Sequence, residues 1–277
     1  MKPKISAAVM VYNGVHTLAQ CVESLRFCDE IVVVDDCSTD GTWELIQTLG
    51  VKGHQHRHTT FAAQRGLARD LCTGEWVLTM DADEYVTPTL RNGILQAVQE
   101  KNVEGYFIQR KNPYPKGLKG HGFTWHPRLV RKNVCKWVDT DSPHSPLDMR
   151  GVKMRRLKHG VLDHEPLPDV PTALRKAINR NAIICEQMRA RGKRGSVWRM
   201  CAGVVGRWVK MWLFKGGWKH GRDGFLFASL DAYEAYVRYV LLMTGGVSAR
   251  GPGEGTTEGS YPVGAPWVSV PKGEQRS

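Results

Sequence analysis

Three carboxylates fall within four positions at Asp81-Ala82-Asp83-Glu84, directly behind the apolar run Trp76-Val77-Leu78-Thr79-Met80. Such a run suits a buried strand. In an extended chain, residues two apart project to the same side, so Asp81 and Asp83 are expected to share one. Paired carboxylates beside a strand end can hold a hard divalent cation that also takes phosphate oxygens. Asp also starts turns and caps helices, so the pair by itself is ambiguous. Three other polar groups bear on it. Tyr12-Asn13 follows an apolar run from Ile5 to Val11, Asp35-Asp36 follows Ile31 to Val34, and Gln64-Arg65 lies in a helical pattern from about Phe61 to Cys72. In an open α/β sheet the carboxyl ends of the strands form one ligand-binding edge. There an Asp can accept hydrogen bonds from a base or ribose, and Arg65 can offset phosphate charge or stack on a base. A cation between Asp83 and a diphosphate would stabilise the charge of a departing nucleotide. No Gly-x-Gly-x-x-Gly follows the first run and no Gly-Lys-Ser/Thr P-loop occurs, so side chains and metal would have to hold a nucleotide.

The elements that must position these groups alternate between strand and helix. Val15, Leu18, Val22 and Leu25 recur at helical spacing between the first two apolar runs, a crossover that favours parallel pairing. The polar stretch from Asp35 to Thr42 suits the opening of a helix carrying Trp43, Leu45 and Ile46. Gly74 ends the helix before Trp76. Pro88 stands early in a further helix carrying Leu90, Ile94, Leu95 and Val98, and Tyr106 to Ile108 is another strand. This order predicts an α/β fold with a mainly parallel, Rossmann-like sheet flanked by helices and followed by C-terminal amphipathic helices. Residues 1–110 read as a nucleotide-binding half. Residues 111–171 read as an acceptor-side half rich in loops, with short strands near Arg128 to Arg131 and Val152 to Leu157. Residues 172–244 return to helical patterning. Residues 245–277, dominated by Gly, Pro, Ser, Thr and Glu, read as a flexible tail.

One helical segment stands out, from Ser196 to Lys215. At 100° per residue, Arg199, Arg207 and Lys210 fall in a narrow arc, while Trp198, Val204, Val205, Trp208, Met211, Trp212 and Leu213 fill most of the rest. A wide Trp-rich face beside a basic strip resembles an interfacial helix, although a core-facing helix shows a similar pattern. A last helix from Phe225 to Met243 carries Asp231, Glu234 and Arg238, which argues against spanning a membrane.

Composition narrows the partners. The 277 residues are 42% hydrophobic, enough to bury a core, and the formal net charge is +12. Anionic partners follow: membrane surface, phosphorylated substrate or nucleic acid. The seven cysteines form no Cys-x-x-Cys pair, so neither a zinc ribbon nor a disulfide framework is expected. Scattered thiols suit a reducing compartment. The amino-terminal residues run straight into a strand-like segment with no apolar leader, so a cytoplasmic protein is expected. His54, His56 and His58 alternate along one short stretch but lack an acidic partner, and an exposed polar strand explains them as well as a metal does.

Three blocks resemble family 2 glycosyltransferases of the GT-A fold. They are Ser6 to Asn13, Glu30 to Thr42 and Gly74 to Glu84, in matching order and spacing. Phe61 to Arg65, Gly105-Tyr106, Arg128-Leu129 and the Arg/Trp-rich stretch from Trp208 to Gly224 are similar to one branch, the lipopolysaccharide-core glycosyltransferases of the WaaE/KdtX type. The likeness covers about residues 4 to 243 and is strongest before Arg110. It implies a nucleotide-sugar donor (a UDP-sugar foremost), a divalent cation (Mg²⁺ or Mn²⁺) and inversion at the anomeric carbon. It places Asp36 at the base, Tyr12 and Asn13 at the wall beyond the first strand, and Arg65 near the nucleotide. Asp81 and Asp83 match the Asp-x-Asp motif, the second ligating the metal and the first facing ribose or sugar. Relatives carry a His-Glu pair for the general base, where this chain reads His144-Ser145. Asp141 is the favoured substitute, with His144 next, and Asp139, Asp148 and His164-Glu165 stand nearby. The implied acceptor is a glycolipid or lipopolysaccharide core, reached by an enzyme peripheral on the inner face of the cytoplasmic membrane, on an anionic surface and with no nucleic-acid partner. The rivals are a sugar-1-phosphate nucleotidyltransferase, whose Gly-rich loop after the first strand is missing here, and a basic membrane-surface or nucleic-acid-binding protein. A processive synthase would need spanning helices and a Gln-x-x-Arg-Trp motif, and neither is found.

Overall fold

The computed structural model describes residues 3–57, 60–137, 147–165 and 169–245. Strands β1 (Ile5–Val11), β2 (Glu30–Asp35), β3 (Lys52–Gln55) and β4 (Trp76–Asp81) alternate with helices α1 (Leu18–Ser24), α2 (Thr42–Thr48) and α3 (Phe61–Leu71). The short strand β5 (Glu84–Val86) leads into α4 (Pro88–Ala97). A long hairpin of β6 (Gly105–Pro113) and β7 (His121–Arg131) follows, then β8 (Met154–Arg156) and β9 (Leu162–His164). Helices α5 (Val170–Ala190), α6 (Val197–Val209) and α7 (Gly221–Thr244) close the described chain.

All of these strands join one sheet in the order β3-β2-β1-β4-β7-β6-β9-β5, with β8 beside β6. The first four are parallel to one another. Strand β7 runs antiparallel to both β4 and β6. Strand β9 is parallel to β6 and antiparallel to β5. The class expected from the order of elements is therefore found, as a mixed sheet in which every antiparallel pair includes β7 or β9.

Strand β1 explains why the sheet is covered on both sides. All seven of its residues are buried. Ile5, Ala7, Val9 and Val11 enter one cluster with Leu18, Val22 and Ile94. Ala8 and Met10 enter another with Ala68, Cys72 and Val77. Two-residue alternation thus divides a continuous apolar run between α1 and α4 on one face and α3 on the other. Helices α3 and α4 start where a Thr side chain satisfies one of their first N–H groups. Thr60 Oγ1 accepts from Ala63 N at 3.0 Å, and Pro88 takes the first position of α4 behind Thr87.

Two expectations change. The strands near Ile108 and Arg131 are longer than their apolar cores, because the hairpin continues through polar residues to Pro113 and His121. The segment from Ser196 to Lys215 is not one regular helix. Helix α6 passes into a π turn at Lys210–Phe214, and Gly216, at φ 77°, ends it. Nor do its cations form one strip. Arg207 turns inward to α7, with Nε 2.6 Å from Asp231 Oδ2 and Nη2 3.2 Å from Glu234 Oε2. Gly203 lets this pair approach, since a Cβ there would lie 3.0 Å from the Tyr239 ring.

Candidate active site

The register of the parallel strands brings three polar chain ends together. Val11 stands opposite Asp35, and Met10 opposite Asp81. The loops beyond β1 and β2 are then knitted to each other. Asn13 has φ 49° and Cys37 φ 55°, left-handed conformations that an Asn tolerates better than most residues. Asn13 N donates to Ser38 Oγ at 2.8 Å, and Asn13 Oδ1 accepts from Thr39 N at 2.9 Å. Gly14 N donates to Thr42 Oγ1 at 2.9 Å, and a side chain at Gly14 would strike Val11 at 2.5 Å. Asp40 accepts from Val15 N at 3.2 Å. Its burial would raise its pKa, but the Thr42 and backbone hydrogen bonds outweigh this and hold it low. Asp35 is spent on structure, accepting from Ser38 N at 3.1 Å and Gln55 Nε2 at 3.0 Å. Asp36 is buried beside it, and its N–H donates to Val11 O at 2.9 Å. Tyr12 and Asn13, half-buried, stand where β1 gives way to α1.

Asp81 ends β4, and the chain turns at Ala82-Asp83 before β5. The extended alternation expected of Asp81 and Asp83 is therefore absent, and the two carboxylates serve different partners. Asp81 lies between guanidinium groups, with Arg128 Nη2 at 2.7 Å and Arg65 Nη2 at 3.8 Å. Arg128 also pairs with the fully buried Glu84, which Arg110 approaches at 2.9 Å. Burial would raise the Asp81 carboxyl, but Arg128 and Arg65 prevail and hold it well below the usual range. Burial raises Glu84, against the pull of Arg128 and with the push of Asp81. Burial opposes the charge on Arg128, yet Asp81 and Glu84 together raise its pKa. Three cations thus meet two carboxylates at this edge, and the Arg128 Nε remains a buried donor without a partner. Cys21 Sγ contacts Asp81 O at 3.7 Å. Burial and then the charge of Glu84 push that thiol well up, so it stays protonated and is no nucleophile.

Asp83 faces β9 instead. Its Oδ2 lies 3.3 Å from His164 Nε2, and its backbone carbonyl accepts from Glu165 N at 2.9 Å. Its side chain is 43% exposed, against 26% for Asp81. Among the described residues no group of three or more His, Cys, Asp and Glu is gathered as a metal cage. Asp83 with His164 is a smaller donor set, an oxygen and a nitrogen. Adjacent ligands of an octahedral ion at about 2.1 Å would be about 3.0 Å apart, close to the separation seen. His54 is exposed on β3, and His56 Nδ1 is engaged by Gln64 Oε1 at 3.1 Å. His58 lies outside the described residues.

Asp141 and His144 also lie outside the described residues, as does Asp139. Asp148 is held by Arg150 at 2.7 Å, and those hydrogen bonds bring it down to about 2, a poor proton acceptor. His164, one of the nearby alternatives for the base, sits on the Asp83 side. The residues that sequence reasoning undervalued are Glu84, Arg110 and Arg128. One signal for Arg128 was its place two residues before Val130, which puts a cation on the buried face of a strand.

The chain is similar to known proteins. Residues 6–155 match the family model for Glycosyl transferase family 2. The chain is 26% identical over 263 residues to the lipopolysaccharide core biosynthesis glycosyltransferase LpsC of Rhizobium meliloti, covering 87% of this chain and 96% of that protein. It is 24% identical over 252 residues to an uncharacterized glycosyltransferase of Rickettsia typhi, covering 86% of each. Among solved structures, Staphylococcus aureus TarS 1-349 in complex with UDP-GlcNAc superposes with a TM-score of 0.49 and 16% identity, over 84% of this chain and 91% of that one.

Proposed function

Because the chain belongs to glycosyl transferase family 2, we propose that it moves a sugar, with inversion, from a nucleotide-sugar donor to a lipopolysaccharide-core or related glycolipid acceptor. One observation carries this reading. The strand ends at Asp35 and Asp81 flank β1 at one sheet edge, Asp36 and Asp83 follow them directly in the chain, and Arg65 and Arg128 stand beside Asp81. The nearly full-length similarity to LpsC supports the acceptor class.

In this reading Asp36 accepts hydrogen bonds from the base, and Tyr12 and Asn13 wall the nucleoside. Asp81, kept ionised by Arg128 and Arg65, accepts from ribose or sugar hydroxyls. Arg65, 3.8 Å from Asp81, is the cation assigned to the diphosphate. Asp83 and His164 would hold a Mg²⁺ or Mn²⁺ ion. That ion would neutralise charge on the departing nucleoside diphosphate. Transfer forms a bond from the acceptor hydroxyl oxygen to the anomeric carbon and breaks the bond to diphosphate. The hydroxyl proton passes to a base in the 138–146 segment, Asp141 first and His144 second.

The test is calorimetric binding of UDP-, ADP- and GDP-sugars with and without Mn²⁺, repeated on Asp83→Asn and His164→Ala. Binding of one donor that needs the cation and weakens in both variants supports the assignment. A folded protein that binds none of them overturns it.

A further inference from the structure

The C-terminal helices present an apolar face that the transfer chemistry does not use. On α6, Trp198, Cys201, Ala202 and Val205 are exposed, and Leu213 extends the set into the π turn. Spacings of three and four residues align the α6 positions in one stripe. Trp198 is 83% exposed, Phe214 81% and Trp218 55%. The packing side of α6 is elsewhere. Arg207 pairs with Asp231 and Glu234 of α7, and Trp208 Nε1 donates to Ser229 Oγ at 3.3 Å. The outward stripe is therefore not a mispositioned core face. Soluble monomers rarely leave a contiguous apolar patch of this kind in water unless something binds it.

The charge around the stripe has one sign. Residues 191–222 include nine Lys or Arg and no Asp or Glu. Lys210, Lys215, Lys219 and Arg222 are all exposed beside the large apolar side chains. We propose that this face docks on an anionic lipid bilayer, with Trp198, Phe214 and Trp218 entering the headgroup boundary and the cations contacting lipid phosphates. Exposed Trp and Phe with a cationic surround are the two components that interfacial binding requires. Among the described residues no helix is long and apolar enough to cross a membrane, so the contact is made from one side. A second copy of this chain is a poorer occupant, since it would set the same cations against themselves.

The docking layer is also packed against the site's own framework. Tyr114, beyond the end of β6, stacks on Phe227 of α7 with ring centroids 4.0 Å apart, and Lys119 N donates to Asp223 Oδ2 at 2.9 Å. Strand β6 of the same hairpin carries Arg110, 2.9 Å from Glu84. Helix α7 thus links the docking helix to the hairpin that leads to the transfer site. This linkage suits a lipid-linked acceptor, but docking itself does not depend on the catalytic reading.

The test is flotation of the full chain with phosphatidylglycerol/phosphatidylethanolamine vesicles and with pure phosphatidylcholine vesicles. Binding to the anionic vesicles should be at least about tenfold stronger, and should fade as salt shortens the Debye length from about 10 Å to about 3 Å. Trp198→Ser/Phe214→Ser and Lys210→Glu/Lys215→Glu should each lower it about tenfold or more, with circular dichroism and donor binding unchanged. Absence of wild-type binding overturns the proposal, as does binding indifferent to both variants. So does a wild-type dimer that the Trp198 variant converts to monomers. Vesicle binding by a chain that binds no nucleotide sugar would uphold docking and remove only the transferase reading.

Discussion

The two ends of the parallel strands hold carboxylates in opposite circumstances. At the amino end, Glu30 accepts from Ser6 Oγ, from Thr73 N at 2.7 Å and from Lys52 Nζ at 2.5 Å. Burial alone would raise its pKa, but these donors bring it down to about 2. The donors to Glu30 come from β1, from β3 and from the loop leading into β4, and its side chain is only 9% exposed. At the carboxyl end, Asp81 is also held low, yet by guanidinium groups at a half-open edge, and Asp83 next to it faces an imidazole. A depressed carboxylate therefore does not mark a functional site by itself. What separates the ends is which residual capacity is left: exposed oxygens, a cation in loose contact and a nitrogen donor.

Breaking this contrast gives a graded series. Asp83→Ala should lower cation-dependent turnover by roughly 10³-fold or more, the loss of several kcal/mol of charge stabilisation, while denaturation midpoints barely move. Steady-state kinetics at saturating Mn²⁺ with a parallel urea titration checks both halves. An equal fall in stability would return Asp83 to the class of Glu30. Arg128→Met should cost about 3 kcal/mol or more, because Glu84 is then buried with one cation fewer and Asp81 loses its nearest neighbour. Urea denaturation measures this, and a variant as stable as the parent would show that water reaches the cluster.

Glu30→Gln sharpens the comparison from the other end. A folded pKa of about 2 against the ordinary carboxylate value near 4.3 makes Glu30 stabilising by up to about 3 kcal/mol. Because the folded value is depressed, this contribution is complete above the unfolded pKa. It is lost as pH falls through about 4 to 2. The parent and the variant should thus differ in melting temperature at neutral pH and converge near pH 2, with donor turnover unaltered. Asp40→Asn is the smallest change, about 1 kcal/mol, since the amide still accepts from the Val15 or Thr42 N–H. It should raise the donor KM slightly by loosening the loop that carries Asn13, as a kinetic titration would register.

Much of the first 110 residues was legible because their signals are local. The helix expected from Phe61 to Cys72 spans Phe61–Leu71, and the strand expected at Trp76 begins there. Both follow from apolar periodicity and flanking breakers. The hairpin beyond Ile108 was less legible, because polar residues such as Gln109, Asn112 and Thr124 pair across it without an apolar pattern to mark them. The Asp81–Arg128 pair was less legible still, since 47 residues separate its members and no local rule joins them. On α6, the helical wheel showed which residues share an arc but not which arc meets α7, so Arg207 was grouped with cations that it does not accompany.

The amino-acid sequence by itself determined the family, the α/β order and the identity of the acidic and basic groups at the strand ends, because those depend on residue type and on spacing along one chain. Only the tertiary structure decided how the carboxylates divide. A turn at Ala82-Asp83 sends Asp81 toward Arg128 and Arg65 and Asp83 toward His164. It also decided which side of α6 meets α7. Both outcomes are choices among partners distant in sequence, and they are made by packing and charge in three dimensions.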